Sequence, residues 1–412
     1  MSIRSADIVR PLGVIEEFLW LFDHSSPKQF CLVAEVDGHT TVPEWRSALD
    51  ALQERHPMLS VCIDSTYNRV PHFRRVTGQP IPLRIINADT PWEREAEREI
   101  RTLFEPAKAP LARAVLIHQP EKSVIILVLH HSIGDGISSV FLLRDLLSAL
   151  AGQSLERLEF PPSVDDLLDV KPRITSKPGV NFSYALAEHC IEKPVHVKSA
   201  MLSPQLTQKI QERARKESTT VHAALCAAIT VAGREIDQSW CTKPVSIFSP
   251  VNIRGLLRLQ DQCMDAFSKA STLVETQSAP NLWELARFIS TSLAPFKKLE
   301  GNQPGFEAIY EAMSSDMSVE EGAQFNRAAF SEDVMVSNLG LVPYDSAFGK
   351  LDIKSVWAPV FLRGHDPEQT IGVATINGSL HLVHTSWTPM PGLLERIERK
   401  LAESLLPSLV ET

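Results

Sequence analysis

One stretch constrains this chain more than any other. It runs Ser123-Val-Ile-Ile-Leu-Val-Leu129, then His130-His131-Ser132-Ile133-Gly134-Asp135-Gly136, then Ile137 to Leu150. The first segment is apolar, largely β-branched and of strand length. In the last, Ile137, Phe141, Leu142, Leu146 and Ala149 recur at helical spacing. Two histidines therefore leave the end of a buried strand, a Gly-Asp-Gly turn follows, and a helix begins. A side chain at the end of a rigid strand is held in place yet meets a cavity, which suits a proton-transfer group. Histidine fits that task because its unperturbed pKa lies near neutrality. Gly134 and Gly136 allow a positive φ and a close approach of backbone to the ring. Asp135 has two roles open to it: orienting the imidazole, or holding the loop by pairing with a buried arginine.

Other readings of the stretch are weaker. Two histidines and an aspartate are metal-ligand types, but adjacent strand residues face opposite ways, so His130 and His131 do not readily grip one ion. No metal is expected, and acid–base chemistry ranks ahead of accidental placement at a strand end. Ser139 has no Gly-x-Ser-x-Gly elbow around it, which argues against a serine-hydrolase triad. No Gly-rich phosphate loop occurs, so no nucleotide cofactor is expected.

His-His-x-x-x-Asp-Gly resembles the signature of the chloramphenicol-acetyltransferase-like superfamily, which includes condensation domains of peptide synthetases, plant acyltransferases and polyketide-associated acyltransferases that esterify phthiocerol-type diols. The surroundings resemble the last group most: Arg10-Pro-Leu-Gly-Val-Ile-Glu-Glu-Phe-Leu-Trp20, Trp45 through Leu59, and Val336-Ser-Asn-Leu-Gly340. The Asp-Phe-Gly-Trp-Gly motif of the plant branch is missing. Val356-Trp-Ala-Pro and Phe361-Leu-Arg-Gly364 stand roughly where it would fall. The resemblance implies an α/β (α+β) fold of two lobes, each a mixed sheet flanked by helices, with an active-site tunnel between them. It implies His131 as the catalytic base, with Gly136 and His130 in support. It implies Arg254, at the end of the strand Pro244–Val251, as the partner of Asp135. Ser337 and Asn338 follow another apolar strand; in the resembled family that segment lines the channel, where they could serve an oxyanion. His381 and His384 read as strand-surface residues.

Length and composition agree with two lobes. At 412 residues, 44% hydrophobic and 22% charged, the chain can build a substantial core. The boundaries expected are an N-terminal lobe over 1–160, a proline-rich linker over 161–194 with one helix around Asn181–Glu192, and a C-terminal lobe over 195–412. Net charge is -9 with no Lys/Arg-rich run, so nucleic acid is not an expected partner. The six cysteines are scattered without a C-x-x-C pair, and most sit in apolar runs as core residues. No signal-peptide pattern and no apolar stretch of about 18 residues is present, so a cytoplasmic monomer without a membrane span is expected.

The expected activity is transfer of an acyl group from a thioester to a hydroxyl, with a small-molecule alcohol as acceptor. The donor would be acyl-CoA or a phosphopantetheinyl acyl carrier protein, and no bound cofactor is required. Two alternatives stand beside it: amide-forming or cyclising condensation on carrier-bound substrates, and a non-catalytic docking module for carrier proteins. The intact motif weighs against the docking module, which has no need of a base.

Overall fold

The structure is a computed structural model describing residues 7–66, 71–169, 192–276, 281–314, 319–364 and 366–406. The first half runs β1 (Ile8–Pro11), α1 (Val14–Asp23), β2 (Gln29–Asp37), α2 (Val42–Arg55), β3 (Val61–Asp64), β4 (His72–Arg75), β5 (Leu83–Ile86), α3 (Trp92–Arg101), β6 (Ala112–Gln119), β7 (Lys122–His130) and α4 (Gly136–Leu150). After the short α5 (Val164–Leu167) come β8 (His196–Leu202), α6 (Pro204–Lys216), α7 (Val221–Ile236), α8 (Ser239–Thr242), β9 (Val245–Asn252) and β10 (Phe267–Val274). The chain continues with α9 (Leu282–Leu293), α10 (Leu299–Ser314), α11 (Val319–Ala329), β11 (Val334–Leu341), β12 (Ala347–Phe348), β13 (Leu351–Phe361), β14 (Gln369–Ile376), β15 (Ser379–Ser386) and α12 (Leu393–Glu403). Residues 170–191 of the expected linker, nearly all of the helix expected around Asn181–Glu192, and Cys190 lie outside the described residues.

Local chemistry accounts for these elements. Thr41 caps α2 by accepting from the Glu44 amide, while the Glu44 carboxylate accepts from the Thr41 amide at 2.7 Å. Trp45, Ala48, Leu49 and Leu52 recur along one face of α2 and are buried. His56, extended before Pro57, ends it. In the same way Ser203 caps α6 and Thr220 caps α7. Asn377 and Gly378, at φ 51° and 74°, turn β14 into β15.

Two six-stranded mixed sheets dominate. One has the order β12-β13-β2-β7-β6-β5 and the other β10-β9-β11-β14-β15-β8. A small antiparallel sheet, β1-β4-β3, stands beside the first. β7 lies between β2 and β6 and is buried along almost its whole length. A strand covered on both faces needs apolar side chains on both, which explains the unbroken run Val124–Leu129.

Sheet membership crosses the expected lobe boundary. β12 and β13 come late in the chain, yet β13 pairs antiparallel with β2, from Asp352 opposite Asp37 to Phe361 opposite Phe30. The N-terminal sheet is therefore completed by residues assigned from the sequence to the 195–412 lobe. Periodicity marks 351–357 as a strand but carries no information about its pairing partner. Among the described residues no helix is long and apolar enough to cross a membrane.

The second sheet buries more than its sequence suggests. Every residue of β14 and β15 is buried, including His381 and His384, which were expected on a strand surface. β15 lies between β14 and β8, and His381 meets the Trp357 ring edge-on at 4.8 Å. Burial pushes both imidazoles down to about 4, so both are neutral at pH 7. Gly372 allows the two sheets to meet: a Cβ there would stand 2.2 Å from the Pro359 carbonyl oxygen and 2.8 Å from the Pro359 nitrogen. Gly372→Ala is expected to cost roughly 1–3 kcal/mol, because backbone rather than a flexible side chain must move. Urea unfolding measures it, and an unchanged midpoint would contradict this account of the contact.

Candidate active site

The motif folds as its spacing predicts. β7 ends at His130, a single 3₁₀ turn covers His131–Ile133, and α4 starts at Gly136. The two histidines diverge. His130 is fully buried, accepts from the Ser132 amide at Nδ1 (3.2 Å), and has Nε2 3.4 Å from Oδ2 of the buried Asp23. His131 turns the other way, its backbone amide held by the Lys28 carbonyl at 2.7 Å. Its ring packs against Phe30, Phe361 and Phe267 at centroid distances of 5.0, 5.4 and 5.5 Å.

His131 faces a cavity built from both large sheets. Phe30 and Phe361 come from the first, Pro250, Phe267, Ser337 and Asn338 from the second, and Gly136 from the start of α4. The wall is mainly apolar, with six phenylalanines on it. His131, Asp135, Gly136, Ser337 and Asn338 all stand on the wall of this cavity. Asn338 uses its carbonyl oxygen to accept from the Gly340 amide at 2.8 Å, which leaves its NH₂ as the donor. His130 is absent from that wall and belongs to the core behind it.

The glycines act differently from expectation. Gly134 is extended, at φ 172°, and neither motif glycine has a positive φ in the left-handed region. Both serve close packing instead. A Cβ on Gly134 would come within 2.9 Å of the Cys263 sulfur, and one on Gly136 within 2.7 Å of the Leu339 side chain. Cys263 is thus a neighbour that the sequence hid. Its thiol donates to the Ile133 carbonyl at 3.1 Å, and burial pushes its pKa up, so it stays protonated.

Asp135 takes the second of its two roles. Arg254 Nη2 donates to its Oδ1 at 2.9 Å, with both side chains nearly fully buried. Asp135 also caps α4, accepting from the Ser138 amide at 2.8 Å, and its Oδ2 accepts from the Ala266 amide at 3.0 Å. Arg254 further donates to the carbonyls of Gln262 (2.8 Å) and Met264 (2.6 Å). Burial alone would raise the Asp135 pKa; the Arg254 charge and the backbone donors outweigh it and hold the carboxyl below its ordinary value. This ion pair joins the start of α4 to the loop between β9 and β10.

That loop also supplies a residue the sequence reading missed. Asp265 Oδ1 lies 3.0 Å from His131 Nδ1, and the Asp265 side chain is fully buried. Asp265 does not line the cavity; it sits behind the ring. Burial pushes its carboxyl up to about 6 against the pull of His131. Burial would lower the His131 pKa, but the Asp265 charge and hydrogen bond prevail and the net shift is upward. Asp265 lies 134 residues from His131. Its only signal in the sequence is an acidic residue at the mouth of an expected strand, which is too common to single out.

Comparison with known proteins bears on the fold. The condensation-domain model matches residues 20–170, which include the motif, and the model of the phthiocerol/phthiodiolone dimycocerosyl transferase C-terminus matches residues 192–381. Tyrocidine synthase 3 of Brevibacillus parabrevis is 28% identical over 133 residues, 30% of this chain and 2% of that protein. A linear gramicidin synthase of the same organism is 26% identical over 170 residues, 37% of this chain and 2% of that protein. The chain thus spans about 2% of the length of these curated relatives. Polyketide synthase associated protein 5 from Mycobacterium tuberculosis superposes with a TM-score of 0.67 at 17% identity, covering 98% of this chain and 100% of that one. The first condensation domain of the CDA synthetase gives 0.68 at 15% identity and 97% of each chain. One model, of a condensation domain, thus falls on the first half of the chain, another, of a dimycocerosyl transferase C-terminus, falls on the second, and over nearly its whole length the chain shares the chloramphenicol-acetyltransferase-like fold of these solved structures.

Proposed function

We propose that the protein is an acyltransferase that moves an acyl group from a thioester to a hydroxyl acceptor, with His131 as general base. The observation that carries this reading is the His131 ring at the cavity wall with Nδ1 occupied by Asp265, which leaves Nε2 for substrate. In this reading Nε2 takes the hydroxyl proton as the oxygen attacks the thioester carbonyl. The tetrahedral oxyanion is met by donors from Ser337, Asn338 or the backbone near Gly136. Collapse expels the thiolate, which receives the proton from Nε2. Acyl-CoA and an acyl carrier protein are both suitable donors, since each presents a thioester on a flexible arm. The transferase model on the C-terminal half supports acyl transfer as the reaction.

A second reading is condensation to an amide. It draws on the condensation model over residues 20–170 and on the peptide-synthetase relatives. One experiment separates the readings. The protein is incubated with a panel of acyl thioesters, on CoA and on a carrier protein, together with alcohols and amines. Free thiol is followed and products are weighed by mass spectrometry. Ester products support the proposal, amide products alone move it to condensation, and no acceptor-dependent thiol release with any pair removes the enzyme reading.

The proposal also predicts direct transfer without an acyl-enzyme. Cys263, which packs beside Gly134 of the motif, is buried, protonated and turned toward a backbone carbonyl, which is the opposite of an activated nucleophile. Incubation with donor alone is therefore expected to add no acyl mass to the protein, and double-reciprocal plots should intersect. A stable adduct, or parallel lines, would place the nucleophile on the protein.

A further inference from the structure

We propose that Asp265 is the positioning residue for His131, and that the Asp135–Arg254 pair serves the reaction by holding Asp265 in place. The inference rests on the reading of His131 as the base and adds to it the origin of the ring's tautomer.

The geometry is specific. The motif aspartate, four residues on from His131, turns away from the ring and onto Arg254. The carboxylate that meets Nδ1 comes instead from the loop before β10. The amides on either side of residue 265 are tied to the motif and to the first turn of α4: Ala266 donates to Asp135 Oδ2 at 3.0 Å, and Met264 donates to Ser138 Oγ at 3.2 Å. Arg254 grips the same segment through the Met264 carbonyl. With its neighbours anchored, Asp265 has its side chain aimed at the imidazole. Among the described residues its Oδ2 has no hydrogen-bond partner, so His131 is what the buried carboxylate serves.

A carboxylate accepts and cannot donate, so it selects the tautomer with hydrogen on Nδ1 and leaves the Nε2 lone pair toward the cavity. When Nε2 takes the acceptor's proton, the imidazolium that forms stands against a buried negative charge. The carbon–oxygen bond forms, the carbon–sulfur bond breaks, and the proton passes from Nε2 to the departing sulfur. Asp265 keeps its charge throughout. The other charged groups around the pair are Asp135, Arg254 and Glu16, with Lys28 and Arg363 on the cavity wall.

The test begins with the parent protein. Two-bond ¹H–¹⁵N spectra of the ¹⁵N-histidine-labelled full chain, with His131 assigned by its loss in His131→Ala, read the tautomer directly. Hydrogen on Nδ1 is expected, and an Nε2–H tautomer overturns the proposal without any variant of Asp265. Next, Asp265→Asn should lower kcat by roughly 10²-fold, part of the full worth of a general base. It should also move the acid limb of the kcat/KM profile to lower pH, because the charge that raises His131 is gone. A structural role alone would leave that limb in place, and an unmoved limb overturns the proposal. Asp135→Asn should disturb the same tautomer signal, and Asp135→Asn added to Asp265→Asn should cost little more kcat than Asp265→Asn alone. Multiplying losses would mean Asp135 acts by another route and would remove the second half of the proposal. If His131→Ala is fully active, the base assignment itself fails, and the tautomer spectra still report on Asp265 separately.

Discussion

His131→Ala is expected to lower turnover by roughly 10²–10⁴-fold with the far-ultraviolet circular dichroism of the parent, the range set by losing a positioned general base. The fold should survive because the group left behind can neutralise itself. Asp265 loses its hydrogen-bonded partner, but its carboxyl is already pushed up to about 6 by burial and takes up a proton rather than remain as an unpaired buried charge. The ring itself touches Phe30, Phe267 and Phe361 at the edge of the cavity, so its removal enlarges a space that is already there. The measurement is steady-state turnover of an acceptor-dependent reaction beside circular dichroism. A folded variant with near-parent turnover would end the mechanism. The parent's own pH profile checks the same assignment. The base works as the neutral ring, and Asp265 holds the His131 pKa above its ordinary value. Activity should therefore fall on the acid side at a higher pH than an unperturbed histidine gives, about 6.5.

Asp135→Asn and Arg254→Gln are each expected to cost on the order of 3–5 kcal/mol of stability, because each leaves its partner charged, buried and unpaired. Both side chains are about 5% exposed or less, so solvent does little to soften the loss. The sign of the pH dependence follows from the direction of the Asp135 shift. Its folded-state pKa is depressed, so the pair's contribution is complete at neutral pH. It fades as pH falls below the unfolded carboxylate value of about 4 toward the lower folded value. The gap between parent and Asp135→Asn in denaturant midpoint should be full at pH 7 and shrink in acid. Activity should fall with stability, since the same pair anchors the segment that carries Asp265. If Asp135→Asn unfolds like the parent but is inactive, Asp135 takes part in the chemistry and its assignment as a structural group is wrong.

Much of this protein is legible along the chain because it depends on near neighbours. The strand–turn–helix around His131 follows from periodicity and turn chemistry. The caps at Thr41, Ser203 and Thr220 and the turn at Asn377-Gly378 follow from residue types a few positions apart. The Asp135–Arg254 pair follows from a family resemblance and not from spacing, and the two side chains meet in the fold.

Other features exist only in three dimensions. β13 joins the sheet of the first half by pairing with β2, and no property of residues 351–361 taken alone names that partner. His381 and His384, three apart, point to opposite faces of β15, and both are buried in the fold. The motif glycines suggest left-handed turns, but what they provide is room for Cys263 and Leu339, which arrive from distant segments. Asp265 is the sharpest case. Local sequence placed a histidine at a strand end beside a cavity. The carboxylate behind it comes from a loop pinned across the two halves of the chain by hydrogen bonds that only the folded molecule can form.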